Sequence, residues 1–164
     1  LQDEIDANAN LESNVADPQA LPYLSAVVKE GLRLSMANPT RLPHVVPHSG
    51  WTFKNTYFPP GSIVGCSAFE LHMNSDIFPE PRSFKPERWL DASSEMIKSW
   101  FAFGAGSRAC IARNLANVEL ILATERVVCS GVMKGARSVQ QGDIAIYEWF
   151  NSKVKEEKIE LLWS

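Results

Sequence analysis

The run Phe103-Gly104-Ala105-Gly106-Ser107-Arg108-Ala109-Cys110-Ile111-Ala112 sets one cysteine between a glycine-bearing loop and an apolar segment. Ile111, Leu115, Val118, Ile121 and Leu122 follow at helical intervals, so a helix is expected from about Ile111 to Cys129. Ser130 and Gly131 would close it, glycine being a common helix terminator. A sulfur at the start of that helix would meet unpaired backbone N–H groups and the positive end of the helix dipole, which favour a thiolate. Gly104 and Gly106 would let the loop turn tightly and leave room beside the sulfur for a large, flat group. Arg108 offers a fixed fork of donors suited to a carboxylate. A soft anionic ligand, a carboxylate partner and a flat apolar body together describe haem. The competing reading is that Cys110 is only a small buried hydrophobe, the usual state of a free cysteine.

The rest of the chain reads as a mixed, helix-rich domain. Leu1 to Ile5 look like the end of a helix, and residues 6–20 are polar and broken by Asp17-Pro18, a connecting turn. A helix over 21–36 opens with Pro22, presents Leu21, Leu24, Val27, Val28, Gly31 and Leu32 as one packing face, and stops before Asn38-Pro39. Glu30 and Arg33 are neighbours on it and, taken alone, would be an ordinary surface pair. Residues 50–53 and 62–64 are expected as two strands joined through Pro59-Pro60-Gly61, a type II turn sequence. Residues 65–100 read as a second small unit with a short helix over 67–72. Phe84, Trp89, Trp100, Phe101 and Phe103 are expected in the core, since no basic stripe accompanies them. Glu119, Glu125 and Arg126 would face water on the long helix, and 144–147 and 158–163 would be strands flanking a polar loop at 151–153.

Composition excludes several classes. The chain has 164 residues, is 45% hydrophobic and 21% charged, and carries a net charge of −3, which gives no sign of nucleic acid as a partner. Cys66, Cys110 and Cys129 are odd in number and lack C-x-x-C spacing, so neither a disulfide framework nor a zinc site is suggested, and a reducing compartment fits. No apolar run approaches the ~20 residues of a membrane span, and no signal peptide is recognisable.

Phe103-x-x-Gly106-x-Arg108-x-Cys110-x-Ala112 resembles the haem-thiolate loop of the cytochrome P-450 family, with Ala112 where glycine is commoner. Glu30-Gly31-Leu32-Arg33 is similar to the family's E-x-x-R segment, and Phe84-Lys85-Pro86-Glu87-Arg88-Trp89 to its F-x-P-E-R-[FW] segment, in the same order. The resemblance implies a mainly α fold with small β-sheets, the carboxyl-terminal part of the cytochrome P-450 fold, with residues 1–164 forming part of one domain without an internal boundary. The family's distal helix, with its acid and alcohol pair, would precede this region. The chain begins with leucine in mid-pattern, and the expectation is that it covers roughly the carboxyl-terminal third of such a protein.

The resemblance also implies roles. Cys110 would be the proximal ligand of haem b, with Phe103 packed beside the sulfur, Gly104 and Ala112 completing the loop, and Arg108 paired to a haem propionate. Glu30, Arg33 and Arg88 would form a buried structural triad. The stretch Asn38 to His44 would pass along the haem edge, with Pro39, Thr40 and Leu42 toward substrate. His44 would reach a propionate, Arg41 being the competing candidate. His72 is read as structural. The activity implied is monooxygenation of a small apolar substrate, with electrons from NADPH through a cytochrome P-450 reductase, at the cytoplasmic face of the endoplasmic reticulum through an amino-terminal anchor outside this chain. Fungal members resemble it most around Val45-Val46-Pro47 and residues 86–90. Two alternatives are a haem-thiolate isomerase or dehydratase, and a truncated remnant without activity.

Overall fold

The computed structural model describes residues 1–9, 20–35, 37–140, 142, 144–147 and 151–163. Most of the polar stretch expected as a connecting turn, with its Asp17-Pro18, lies outside the described residues, as does Met36 at the end of the expected helix.

Helix α1 (Gln2–Ala9) leads to α2 (Pro22–Leu34), around which the fold is organised. The α2 N-terminus has no capping side chain of its own, because Leu21 stands at the N-cap. The carboxylate of Glu4 on α1 replaces it, accepting the amides of Tyr23 at 2.8 Å and Leu24 at 2.9 Å. This cap ties α1 to α2. The helix ends when the Ser35 amide closes on the Gly31 carbonyl, short of the expected residue 36.

The sequence suggests one packing face on α2, and the structure gives it two. Leu24 and Val28 join Leu21, Ile5 of α1 and Ile121 of the long helix α5 (Arg113–Ser130) in the core cluster, with Leu1, Leu32 and Val128 at its edge. The opposite stripe, Ala26, Glu30 and Arg33, is also buried. It faces a single 3-10 turn, Pro86–Trp89. Residues 65–100 therefore do not stand apart as a second unit. They are held on α2 through this polar face, with α3 (Ala68–His72) beside it.

Among the described residues, four two-stranded antiparallel ladders decorate the helices. β1 (Leu42–Val45) pairs with β4 (Ile63–Cys66), Leu42 opposite Cys66 and His44 opposite Val64. β2 (Trp51–Phe53) pairs with β3 (Thr56–Phe58), so the expected hairpin between 50–53 and 62–64 is corrected. The short return strand at Thr56 follows Lys54-Asn55, with Lys54 at φ 51°, a tight turn without glycine that the sequence does not advertise. Pro43 hides β1, since proline inside a run reads as loop. The Pro60-Gly61 turn itself forms as expected, with Gly61 at φ 81° and the Ser62 amide on the Pro59 carbonyl.

Helix α5 starts at Arg113, after Cys110 and not at it. Along it Ile121 is buried, whereas Leu115 and Leu122 are exposed. Glu119 and Arg126 face water and Glu125 is half-buried. Gly131, at φ 66°, ends the helix. Beyond it, β5 (Ala136–Ser138) pairs with β8 (Leu161–Trp163), and β6 (Ile146–Tyr147) with β7 (Lys153–Val154). The expected terminal strands thus take different partners from one another. α4 (Ser94–Ser99) is capped by the Ser93 hydroxyl on the Met96 amide.

Glu4→Ala should remove the cap of α2 and lower unfolding stability by about 1 kcal/mol. Chemical denaturation at neutral pH measures this, and an unchanged midpoint would show that the cap is replaceable by water.

Candidate functional site

The buried stripe of α2 builds an ionic cluster. Glu30 and Arg33 are both 0% exposed. Arg33 Nη2 and Nε donate to the two oxygens of Glu30 at 2.9 Å, a bidentate fork. Arg88 Nε donates to Glu30 Oε1 at 3.1 Å from the Pro86–Trp89 turn. The Lys85 amide at 3.0 Å and the Trp89 indole at 2.9 Å complete the shell of the carboxylate. The arginine ends are spent on carbonyls: Arg33 reaches His72 and Pro81, and Arg88 reaches Pro79. Burial by itself would push the Glu30 carboxyl up. The hydrogen bonds and charge of Arg33, with the Lys85 amide and Trp89, outweigh it and hold the group below its ordinary value. Sequence spacing brings Glu30 and Arg33 together, but Lys85 and Trp89 join only through the long-range fold.

His72, at the end of α3, is 1% exposed. The Phe101 amide donates to its Nε2 at 2.8 Å, so Nε2 carries no proton, and Nδ1 donates to the Arg33 carbonyl at 3.1 Å. Burial is the main reason its pKa falls to about 4, the Arg33 charge adding to it against the opposing Arg33 carbonyl and Glu30.

Phe101 begins the cysteine loop. The Gly104 amide closes on the Phe101 carbonyl at 3.0 Å, and the Cys110 amide donates to the Phe103 carbonyl at 2.9 Å. Gly104 and Gly106 sit at φ 70° and 71°, where side chains other than glycine are strained. A side chain at Gly106 would meet nothing within 4 Å, and one at Gly104 would make only ordinary contacts with Ala109 and Leu42. Their requirement is therefore conformational. Cys110 is exposed, which removes the reading of a small buried hydrophobe.

Cys110 lines a pocket of about 340 Å³ whose walls also include Leu42, Phe101, Phe103, Gly104, Arg108 and His72. Phe103 is braced by Trp100, ring centroids 5.8 Å apart, and Trp100 by Trp89 at 6.2 Å. Phe84 departs from the expected aromatic core and is 54% exposed. Leu42 reaches the Cys110 pocket, whereas Pro39 lines a separate cavity of about 470 Å³ with Ile144, Ile146 and Val154, and Thr40 lines neither. His44 lies two residues beyond Leu42 on β1 and so shares its strand face, while Arg41 lies on the other face, its Cβ close to Gly65. Ala112 is the N-cap of α5 and is exposed.

The sequence model described as Cytochrome P-450 matches residues 1–130, which span both the Glu30–Arg33 pair and the Cys110 loop. The chain belongs to the cytochrome P-450 family. Among its relatives, cytochrome P-450 monooxygenase mfmF of Annulohypoxylon moriforme is 47% identical over 156 residues, covering 90% of this chain and 31% of the relative. The fusicoccadiene C-8 hydroxylase of Alternaria brassicicola is 46% identical over 103 residues, 62% of this chain and 20% of its own length. An inactive cytochrome P-450 monooxygenase, cloA of Claviceps fusiformis, is 43% identical over 121 residues, 71% of this chain and 24% of its length. The chain thus spans about a third or less of these relatives. In structure it superposes on a retinoic acid-bound cyanobacterial CYP120A1 with a TM-score of 0.70 at 21% identity, over 98% of this chain and 38% of the other. A progesterone-bound zebra fish cytochrome P-450 gives 0.62 at 30% identity, over 76% and 28%. The fold is that of the carboxyl-terminal part of a cytochrome P-450. No helix among the described residues is long and apolar enough to cross a membrane.

Two outcomes follow from the buried groups. Glu30→Gln or Arg33→Ala removes one partner from the buried ionic cluster and should cost about 3–5 kcal/mol of stability, read by denaturation. His72 stays neutral in the fold while the unfolded chain takes up a proton near pH 6.5, so stability should fall as the pH drops from about 6.5 to 4. A tenfold difference in proton affinity between the folded and unfolded chains is worth about 1.4 kcal/mol, so the loss across this window is on the order of 3 kcal/mol, and His72→Gln should remove it. A pH profile unaltered by that change would contradict the buried, neutral imidazole.

Proposed function

We propose that this chain supplies the proximal haem-binding region of a haem-thiolate monooxygenase. The observation that carries the reading is the exposed Cys110 at a mostly apolar pocket lined by Phe103, Leu42, Gly104 and Arg108. These residues fit a haem: the donor is a single accessible thiol, the lining is mostly apolar, and Arg108 forms no ion pair among the described residues. Cys110 would hold the iron, Phe103 would cover the sulfur from one side, and Arg108 and His44 would bind the carboxylates. Haem b, once held there, supplies the iron centre for oxygen activation, and thiolate ligation favours O–O cleavage.

The net reaction places one oxygen atom of O₂ in a C–H bond of a small apolar substrate and releases the other as water, with two electrons and two protons. NADPH, through a cytochrome P-450 reductase, is the proposed electron source. The chain's own contribution is to fix the sulfur, exclude water beside it and orient the carboxylates. Leu42 on β1 would press toward the haem edge, and the Pro39 cavity beside the β6–β7 hairpin would face substrate. Association with the endoplasmic reticulum membrane belongs to this proposal. Family membership alone does not ensure turnover, since the relative cloA carries the name of an inactive monooxygenase.

In the haem-loaded protein, Cys110→Ala should abolish the carbon-monoxide absorption band that marks a sulfur-ligated haem. Retention of that band would exclude Cys110 as the ligand. Arg108→Gln should weaken haem retention roughly 10- to 100-fold, the worth of a charge-assisted hydrogen bond, as measured by haem transfer to an acceptor protein.

A further inference from the structure

We propose that His72 is a positioning residue for Cys110, a rigid bridge that hangs the cysteine loop on the buried ionic cluster. The bridge runs through one imidazole. Arg33 holds His72 at two points, its carbonyl accepting from Nδ1 at 3.1 Å and its guanidinium Nη1 donating to the His72 carbonyl at 2.9 Å. The opposite edge of the ring takes the Phe101 amide at 2.8 Å. From Phe101 the order passes along the backbone, through the Gly104 amide on the Phe101 carbonyl and the Cys110 amide on the Phe103 carbonyl. His72 also lines the same pocket as Cys110.

Residue chemistry makes the assignment specific. The Phe101 N–H can only donate, so the bridge requires a group with an acceptor at one end and a donor at the other, separated by the width of the ring. Neutral imidazole with its proton on Nδ1 meets this requirement. Burial, with the nearby Arg33 charge acting in the same sense, keeps the ring neutral. An apolar side chain of similar size would fill the space but take from the Phe101 amide its acceptor and from the Arg33 carbonyl the Nδ1 donor. A second support runs parallel to the first, from Phe78 against the His72 ring at 6.0 Å through Trp89 and Trp100 to Phe103. The aromatic path carries shape and the imidazole carries register: its hydrogen bond holds the Phe101 amide itself, next to the Trp100 indole that donates to the Lys29 carbonyl of α2 at 3.3 Å.

The geometry of the bridge is independent of haem, whereas its consequence for ligation rests on the reading of Cys110 given above. The test therefore has two parts. In the unaltered, haem-loaded protein, nitrogen NMR of His72 should show Nε2 without a proton, and the Phe101 amide should be protected from hydrogen exchange. A protonated Nε2 or a freely exchanging Phe101 amide would overturn the bridge even if Cys110 proves to be the ligand. In the haem-loaded His72→Leu protein, the Phe101 and Gly104 amides should exchange about tenfold faster, the effect of one lost hydrogen bond, and the sulfur-ligated carbon-monoxide band should give way in part to the unligated form. His72→Gln, whose amide carries both a donor and an acceptor, should restore most of each. Unchanged exchange and band in a folded His72→Leu protein would refute the proposal, as would equal loss in Leu and Gln variants. If His72→Leu does not fold, the measurements on the unaltered protein and on His72→Gln decide the question.

Discussion

A fully buried carboxylate is tolerable only when its oxygens are saturated, and much of this structure is the means of saturating Glu30. Arg33 from the next turn of α2, Arg88 and the Trp89 indole from a 3-10 turn, and the Lys85 amide converge on it. An isolated Glu–Arg pair on a helix surface is worth a few tenths of a kcal/mol. Buried without further partners, the same pair would cost more in desolvation than its attraction returns. The extra donors change that balance, and because they come from distant parts of the chain they fix how residues 72–89 lie on α2.

The cysteine loop inherits its order from this cluster. It has no buried core of its own, for Cys110, Arg108 and Gly106 are exposed and α5 begins only at Arg113. What holds it is peripheral: the His72 ring at Phe101, the Trp89–Trp100–Phe103 aromatic path, and three backbone hydrogen bonds within the loop. A soft ligand presented on an open loop needs such remote rigidity if its sulfur is to keep one position. The arrangement concentrates charge and burial on α2 and leaves Cys110 accessible.

Local chemistry in the sequence made part of this legible. Pro22 and the apolar spacing of Leu24 and Val28 mark α2, Gly131 marks the end of α5, and the spacing around Phe103, Gly106, Arg108 and Cys110 marks the loop. Strand pairing was legible only in part, because pairing is set by partners far along the chain. Leu42–Val45 contains a proline, Thr56–Phe58 is three residues long, and Ala136–Ser138 carries no apolar alternation, so none of the three signals a strand locally. The second buried face of α2 was hidden for a related reason. Glu30 and Arg33 look solvent-facing until Trp89 and Lys85, more than fifty residues away, are seen to close over them. Likewise the role of His72 depends on Phe101, with which it shares no sequence pattern.

The central claim is that the open sulfur of Cys110 is a haem ligand held in place by the buried cluster. X-ray absorption at the iron edge of the haem-loaded protein addresses it most directly, because it reports the atoms bonded to iron without requiring turnover. The account predicts one sulfur scatterer beside the porphyrin nitrogens, lost on Cys110→Ser. An iron surrounded only by nitrogen and oxygen in the unaltered protein would contradict it.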